Sequence, residues 1–102
     1  MYTYIFNPQA NRGRGKKLKN KIIRYLESLN IMGEFIELGK KGDINKAVKK
    51  ALKDKTEKIV AIGGDGMVND IIQIIANKDI TLSIIPIGET NLLSNILGLE
   101  NW

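Results

Sequence analysis

The chain of 102 residues contains no cysteine and no histidine. The first absence excludes disulfides and thiolate–metal sites. The second excludes imidazole acid–base chemistry and histidine metal ligands. Aromatic residues make up only 6%, which is poor provision for single-stranded nucleic acid, where bases stack on rings. Nucleic acid is therefore disfavoured as a partner. No apolar run approaches membrane-spanning length and nothing resembles a signal peptide, so a cytoplasmic location is expected. There are also no repeats, low-complexity tracts or linkers. Against these absences stand 43% hydrophobic residues, enough for one domain with a modest core.

The net charge is +5, and it is unevenly placed. Arg12, Arg14, Lys16, Lys17, Lys19, Lys21 and Arg24 all precede the first acid, Glu27. Such a segment could meet nucleotide phosphates, an anionic membrane surface or nucleic acid. It could equally be the solvated face of a helix. Contact with an anionic membrane would add peripheral attachment to the cytoplasmic expectation.

The chain is organised around Lys58–Asp70. Ile59, Val60, Ala61 and Ile62 form a short β-branched run that suits a strand buried on both faces. It leads directly into Gly63-Gly64-Asp65-Gly66, where glycines permit φ > 0 and close approach of another group to the backbone. Val68, Ile71, Ile72 and Ile75 then recur at helical spacing. In a strand–turn–helix unit of this kind, free backbone N–H groups point outward and can bind an anion. Asp65 is out of place beside a bare anion and more natural beside a metal-bridged phosphate. The turn could equally serve only to hold helix against strand.

The remaining chain alternates in the same way. Tyr2–Phe6 reads as a first strand stopped by Asn7-Pro8, and Gln9–Gly15 as a polar loop. Leu18, Ile22, Leu26 and Leu29 share one face of a first helix over Lys16–Leu29, which Asn30 can end. Gly33–Leu38 is a weaker second strand and Gly39–Gly42 a loop. Asp43 caps a second helix, with Ile44, Ala47, Val48, Ala51 and Leu52 on its inner face. The third helix runs to about Ala76, Asn77–Asp79 turns, and Thr81–Ile85 is a fourth buried strand ended by Pro86. Leu92, Leu93, Ile96 and Leu97 begin a fourth helix, with Gly98 at its end. Four strand–helix alternations predict a three-layer α/β/α domain with a mostly parallel, Rossmann-like sheet. Ligands of such sheets bind beyond the carboxyl ends of the strands. The glycine-bearing loops after strands one, three and four all lie there.

Two common nucleotide motifs do not fit. Gly13-Arg14-Gly15 opens a helix, but the third position of a dinucleotide fingerprint is Leu18, and Gly13 lies six residues beyond Asn7. A Walker-type phosphate loop, Gly-x-x-x-x-Gly-Lys-Ser/Thr, does not occur.

The Gly-Gly-Asp-Gly turn after a buried strand resembles the nucleotide-binding motif of the superfamily of diacylglycerol kinases, sphingosine kinases, NAD kinases and phosphofructokinases. Asn69-Asp70 resembles the Asn-Glu that often follows it in the lipid-kinase branch. The segment Asn7–Gly13 resembles that branch's opening Asn-Pro loop. Pro86–Leu92 resembles its Pro-x-Gly-Thr-x-Asn-Asp loop, and Leu93–Leu99 the helix and Leu-Gly that follow. These motifs come in the right order and span nearly the whole chain.

The resemblance implies a phosphofructokinase-like N-terminal nucleotide-binding domain over residues 1–102, without the family's second, β-rich domain. It implies transfer of a phosphate from ATP to a lipid hydroxyl, with Mg²⁺ and with the lipid held by that second domain. Asp65 would take the catalytic role. Gly63, Gly64, Gly66, Met67 and Asn69 would surround the phosphates, with Asn7, Arg12 and Lys16 from the first loop and Glu89, Thr90 and Asn91 from the last. No residue is assigned as a metal ligand. Asn7, Asn69 and Asn91 could each equally be a cap or turn residue. Four positions depart from the pattern: Met67 and Glu89 stand where threonine is usual, Leu92 where an acid often follows, and Leu38-Gly39 where a threonine often lies near the adenine. The alternatives are an NAD kinase domain and a non-catalytic nucleotide-binding module.

Overall fold

The computed structural model describes residues 1–29, 33–39 and 43–86, with backbone alone for 10–15 and 86. Seven elements follow one another: β1 (Tyr2–Phe6), α1 (Ala10–Ser28), β2 (Gly33–Glu37), α2 (Asp43–Lys53), β3 (Lys58–Gly63), α3 (Asp65–Ile75) and β4 (Thr81–Pro86). The four strands form one sheet in the order β2-β1-β3-β4. Every pairing is parallel, with Phe6 opposite both Glu37 and Ile62, and Gly63 opposite Pro86. The expected fourth helix, the Asn30 helix end and most of the Gly39–Gly42 loop lie outside the described residues.

Alternate residues of each strand serve opposite faces. Ile5, Ile59 and Ala61 pack with Val48, Ala51, Val68 and Ile71 of α2 and α3. Tyr4, Phe6, Val60 and Ile62 pack with Leu18, Ile22 and Leu26 of α1. Burial on both faces is why β1 and β3 read as continuous apolar runs rather than as polar–apolar alternation. The split of helices follows from crossover handedness. The step from β1 to β2 runs one way along the sheet, and the later steps run the other way, so α1 lies on one face and α2 and α3 on the other. The expected three-layer α/β/α sandwich with a parallel sheet is observed.

Two local expectations need correction. Residues 10–15, expected as loop, are helical, because α1 opens at Ala10. Yet the Lys16 N–H donates to the Pro8 carbonyl at 2.8 Å. A straight helix would separate those residues by about 12 Å along its axis. The helical run therefore changes direction between them, and Lys16 begins the straight part whose apolar face meets the sheet. The second correction concerns the glycine turn. Gly64 has φ −98° and ψ −179°, and none of Gly63, Gly64 and Gly66 has a left-handed φ. The left-handed residues are Lys55 at φ 57° and Asn77 at φ 67°, just beyond α2 and α3. Thr56 N–H reaches Ala51 O at 3.1 Å and Lys55 N–H reaches Leu52 O at 3.2 Å, the paired bonds with which a helix closes through such a residue.

Tyr4 carries a titration consequence. Its side chain is buried against α1, and its hydroxyl has no hydrogen-bond partner among the described residues. Burial first, and repulsion from ionised Tyr2 second, raise its pKa above the ordinary 10.0. A raised folded-state pKa means that the stabilisation is complete below the unfolded value and is lost as pH climbs through the folded one. In an absorbance titration, Tyr4 is expected to ionise above the ordinary tyrosine range, together with alkaline unfolding. Tyr4→Phe should remove that late component; an unchanged titration curve would contradict the assignment.

Candidate active site at the β1–β3 switch point

In a sheet of order β2-β1-β3-β4, the connections leave β1 and β3 in opposite directions, so the strand ends diverge into a crevice between them. The Asn7 N–H donates to Ile62 O at 2.9 Å and ties the two loops together. The Asn7 side-chain oxygen accepts the Gln9 N–H at 3.0 Å. That is the turn-forming role weighed for it from sequence.

The turn after β3 is shaped by what it leaves out. A Cβ on Gly63 would lie 2.8 Å from the Met67 methyl and 3.2 Å from Asn7 Cβ. A side chain there would make Met67 and Asn7 give way, because β1, β3 and α3 converge. At Gly64 and Gly66 a Cβ would meet nothing within 4 Å among the described residues, so their backbone is open to a ligand on the side those residues leave free. Gly64 is the N-cap of α3 and supplies no side-chain cap. The Val68 N–H donates to Gly64 O at 3.2 Å. The N–H groups of Asp65, Gly66 and Met67 then have no intrahelical acceptor and carry the positive end of the helix dipole.

Side chains around this end divide into two groups. Asp65 and Asn69 are exposed, one helical turn apart on α3, and Asp65 has no partner among the described residues. Lys16 is exposed where the straight part of α1 begins. Met67, by contrast, is only 4% exposed. Its thioether sits in the core, so it can offer the crevice only its N–H. Arg12 is described by its backbone alone, and Glu89, Thr90 and Asn91 lie outside the described residues. Among the expected residues, the structure brings Asn7, Gly63, Gly64, Asp65 and Gly66 to one crevice.

Some features were not read from the sequence. Asp43, expected only as a cap, accepts the Gly39 N–H at 3.1 Å. The Leu38 N–H donates to Phe6 O at 2.8 Å and its side chain is buried, so the position where a threonine was looked for is committed to the core. A groove of about 420 Å³ between β2 and α2 includes Leu38, Asp43 and Lys46. Nearby, Lys50 binds Glu34 at 2.6 Å and Asp54 at 3.2 Å. The bond from Glu34 first, then that from Asp54, raises the Lys50 pKa above its ordinary range.

A sequence profile described as the diacylglycerol kinase catalytic domain matches residues 1–101. The chain belongs to the diacylglycerol kinase catalytic domain family. It is similar to a diacylglycerol kinase of Bacillus subtilis, 31% identical over 97 residues, covering 93% of this chain and 32% of that protein. It is also similar to a mitochondrial acylglycerol kinase of Xenopus laevis, 33% identical over 108 residues, covering 96% and 24% respectively. Among solved structures, a diacylglycerol kinase of Bacillus anthracis superposes with a TM-score of 0.71 at 28% identity. That match covers 87% of this chain and 34% of the other. The chain thus spans about a third of the length of its diacylglycerol kinase relatives. Among the described residues, no helix is long and apolar enough to cross a membrane.

The crevice of this diacylglycerol kinase domain can be tested for fit to ATP and Mg²⁺. Phosphate oxygens need N–H donors with room before them, and the Gly64–Met67 backbone provides both. Among the described residues, no three carboxylates, histidines or cysteines cluster to cage a metal. Mg²⁺ needs no such cage, since it keeps waters and takes one or two carboxylates together with substrate phosphates. Asp65, exposed beside the open N–H groups, suits that arrangement.

Proposed function

We propose that this chain is the nucleotide-binding part of a lipid kinase, which holds ATP for transfer of its γ-phosphate to a lipid hydroxyl such as that of diacylglycerol. The observation that carries the reading is the uncapped start of α3. Its N–H groups face open space at the crevice of a diacylglycerol kinase domain.

The residues divide the work by chemistry. N–H groups of the Gly64–Met67 turn hold phosphate oxygens, and Lys16 and Arg12 offset phosphate charge. Mg²⁺, when bound, would neutralise charge on the phosphates, and Asp65 is the carboxylate placed to hold it. Asn7 keeps the β1 loop against β3 and so fixes the crevice width. Phosphoryl transfer asks mainly for positioning and charge stabilisation, which this set can supply without histidine. The lipid acceptor falls to the second, β-rich domain that the family resemblance implies, and Glu89, Thr90 and Asn91 are proposed as nucleotide contacts from their motif alone.

Titration calorimetry with ATP and ADP, with and without Mg²⁺, tests the reading. Weak binding strengthened by Mg²⁺ is expected, and Asp65→Asn should remove the Mg²⁺ dependence while leaving some nucleotide affinity. No heat with either nucleotide would overturn it. A non-catalytic nucleotide-binding module is the second reading, favoured by one observation: Met67, where the family resemblance leads one to expect threonine, commits its side chain to the core and offers the crevice only its N–H.

A further inference from the structure

Two large apolar side chains stay in solvent on one edge of the fold. Ile72 is 46% exposed and Ile84 47%. Ile84 is in register with Ala61, as Leu82 is with Ile59, so it faces the side of the sheet that carries α2 and α3. β4 is the edge strand there. Helix α3 joins β3 to β4 by a right-handed crossover, with α2 on its inner side and the β4 edge on its outer side. At about 100° per residue, Ile74 and Ile72 flank the buried line of Val68, Ile71 and Ile75 on opposite sides. Ile74 packs into the core that α2 shares, so Ile72 turns toward β4. The depths agree as well. Ile84 lies two residues before Pro86, roughly 7 Å below the carboxyl edge of the sheet. Ile72 lies seven residues past Asp65, roughly 10 Å below that edge along α3. Together they form an apolar step, with α3 as its wall and β4 as its floor.

We propose that this step seats the chain's own segment after β4, which lies outside the described residues, through Leu92, Leu93, Ile96 and Leu97. The seating carries Thr90 and Asn91 to the nucleotide crevice. The four apolar residues recur at i, i+1, i+4 and i+5, one face of a helix, with Ser94 and Asn95 opposite. Such a face has to be buried, and the step is the exposed apolar surface beside the end of β4. Met1 and Leu29, the other large apolar side chains in solvent, precede β1 and β2 and so lie at the amino edge of the sheet. A crossover leading outward from β4 has the same hand as those through α2 and α3, and so puts its helix on their face, beside α3. Five residues separate Pro86 from Leu92, an ordinary length for a strand-to-helix loop. That loop leaves β4 at the carboxyl edge. Asp65 and Ile72, seven apart, share one flank of α3, so a helix seated on Ile72 begins next to Asp65. Ile72 and Ile84 are then positioning residues, which act through the loop rather than on the phosphates. For that role the inference rests on the nucleotide-binding reading.

The chain has no cysteine, so introduced cysteine pairs report proximity without background. Ile84→Cys is combined with Leu93→Cys in one full-length variant and with Ile96→Cys in another. Leu29→Cys, similarly exposed at the amino edge, replaces Ile84→Cys in two controls. Under mild oxidation at least one Ile84 pair should close an intramolecular disulfide about tenfold faster or more than either Leu29 pair, since the bond forms only where Cβ atoms come within about 4.5 Å. Equal rates would overturn the seating. So would disulfides that link two chains, because a second copy would then cover the step. Hydrogen exchange gives an independent readout. In Ile72→Gln with Ile84→Thr, the amides of residues 92–97 should exchange faster than in the wild-type chain, while those of β3 keep their protection. Ile72→Leu with Ile84→Val should restore wild-type exchange. Identical exchange at residues 92–97 in all three chains would contradict the proposal. By calorimetry, ATP affinity should fall about tenfold in the first double variant, the worth of one hydrogen bond to a charged group, and recover in the second. Unchanged affinity would remove the positioning role from the two isoleucines. Cross-linking and exchange need no nucleotide, so a wild-type chain that binds no ATP would sink the nucleotide reading alone, with the seating decided by those two measurements.

Discussion

Gly64→Val is expected to abolish nucleotide binding while leaving the fold in place. Gly64 sits in extended backbone, φ −98° and ψ −179°, which a β-branched residue adopts without strain. A Cβ there meets nothing within 4 Å, so the protein itself has room for valine. The space that valine fills is the space in front of the α3 N–H groups, where phosphate oxygens would otherwise sit. Loss of those charge-assisted bonds and the steric block together should weaken ATP by at least about 100-fold, at roughly 1.5–3 kcal/mol per bond to a charged group. Stability should fall by no more than about 1 kcal/mol, the cost of a poorer N-cap. Calorimetry and thermal melting measure the two separately. Unchanged nucleotide affinity in a folded variant would place the site elsewhere. The neighbouring glycine gives the contrasting result: at Gly63 the Met67 methyl and Asn7 Cβ already occupy the space, so Gly63→Val should unfold or rearrange the crevice rather than merely block it.

The second large effect concerns phosphoryl transfer itself. Supplied with ATP, Mg²⁺ and diacylglycerol in vesicles, the purified chain is expected to form phosphatidic acid no faster than a protein-free control. Transfer requires the acceptor hydroxyl to be held in line with the γ-phosphate, and such positioning corresponds to effective concentrations of about 10⁵–10⁸ M. Within the described residues, most apolar side chains of α1, α2 and α3 pack on the two faces of the sheet, and Ile72 is the large one left exposed. The chain also spans only about a third of the length of its diacylglycerol kinase relatives. Met67 adds to the expectation, because its side chain contributes packing rather than a polar contact to phosphate. Robust phosphatidic acid formation that disappears in Asp65→Asn would show instead that a working active site is complete within these residues.

Much of the fold was legible in the sequence for a simple reason. Strands buried on both faces are apolar throughout, so β1 and β3 were recognisable from Tyr2–Phe6 and Lys58–Ile62 to within a residue of their ends; Thr81–Ile85 was found as a strand too, but its expected burial was wrong, because β4 lies at the sheet edge and leaves Ile84 47% exposed. Helix α2 was equally plain, because one apolar face recurs through Ala47, Val48 and Ala51. The start of α1 was not legible. Periodicity reports which face is apolar, but the bond from Lys16 to Pro8 depends on a change of direction that leaves no periodic trace.

The candidate site was legible as a set of loops at one sheet edge, since any parallel α/β sheet collects the loops after its strands there. The reasons for its glycines were misread. Their spacing suggested left-handed backbone, whereas Gly63 is set apart by crowding from Met67 and Asn7 of two other elements. That crowding exists only once β1 and β3 are neighbours, and the order of strands in a sheet is not written in any one segment.

By itself, then, the sequence determined the kind and succession of elements, the two-sided burial of the sheet and the family motif at Gly63–Gly66. Each of these depends on local composition and spacing. Tertiary structure alone decided that β1 lies between β2 and β3, that Met67 turns inward while Asp65 remains in solvent, and that Lys19 is paired whereas Lys17, Lys21 and Arg24 are not. The physical reason is that contacts and exposure depend on which elements become neighbours. Residues two apart on the same helix, such as Lys17 and Lys19, equivalent in charge, are separated by the strand that happens to lie beneath one flank and not the other.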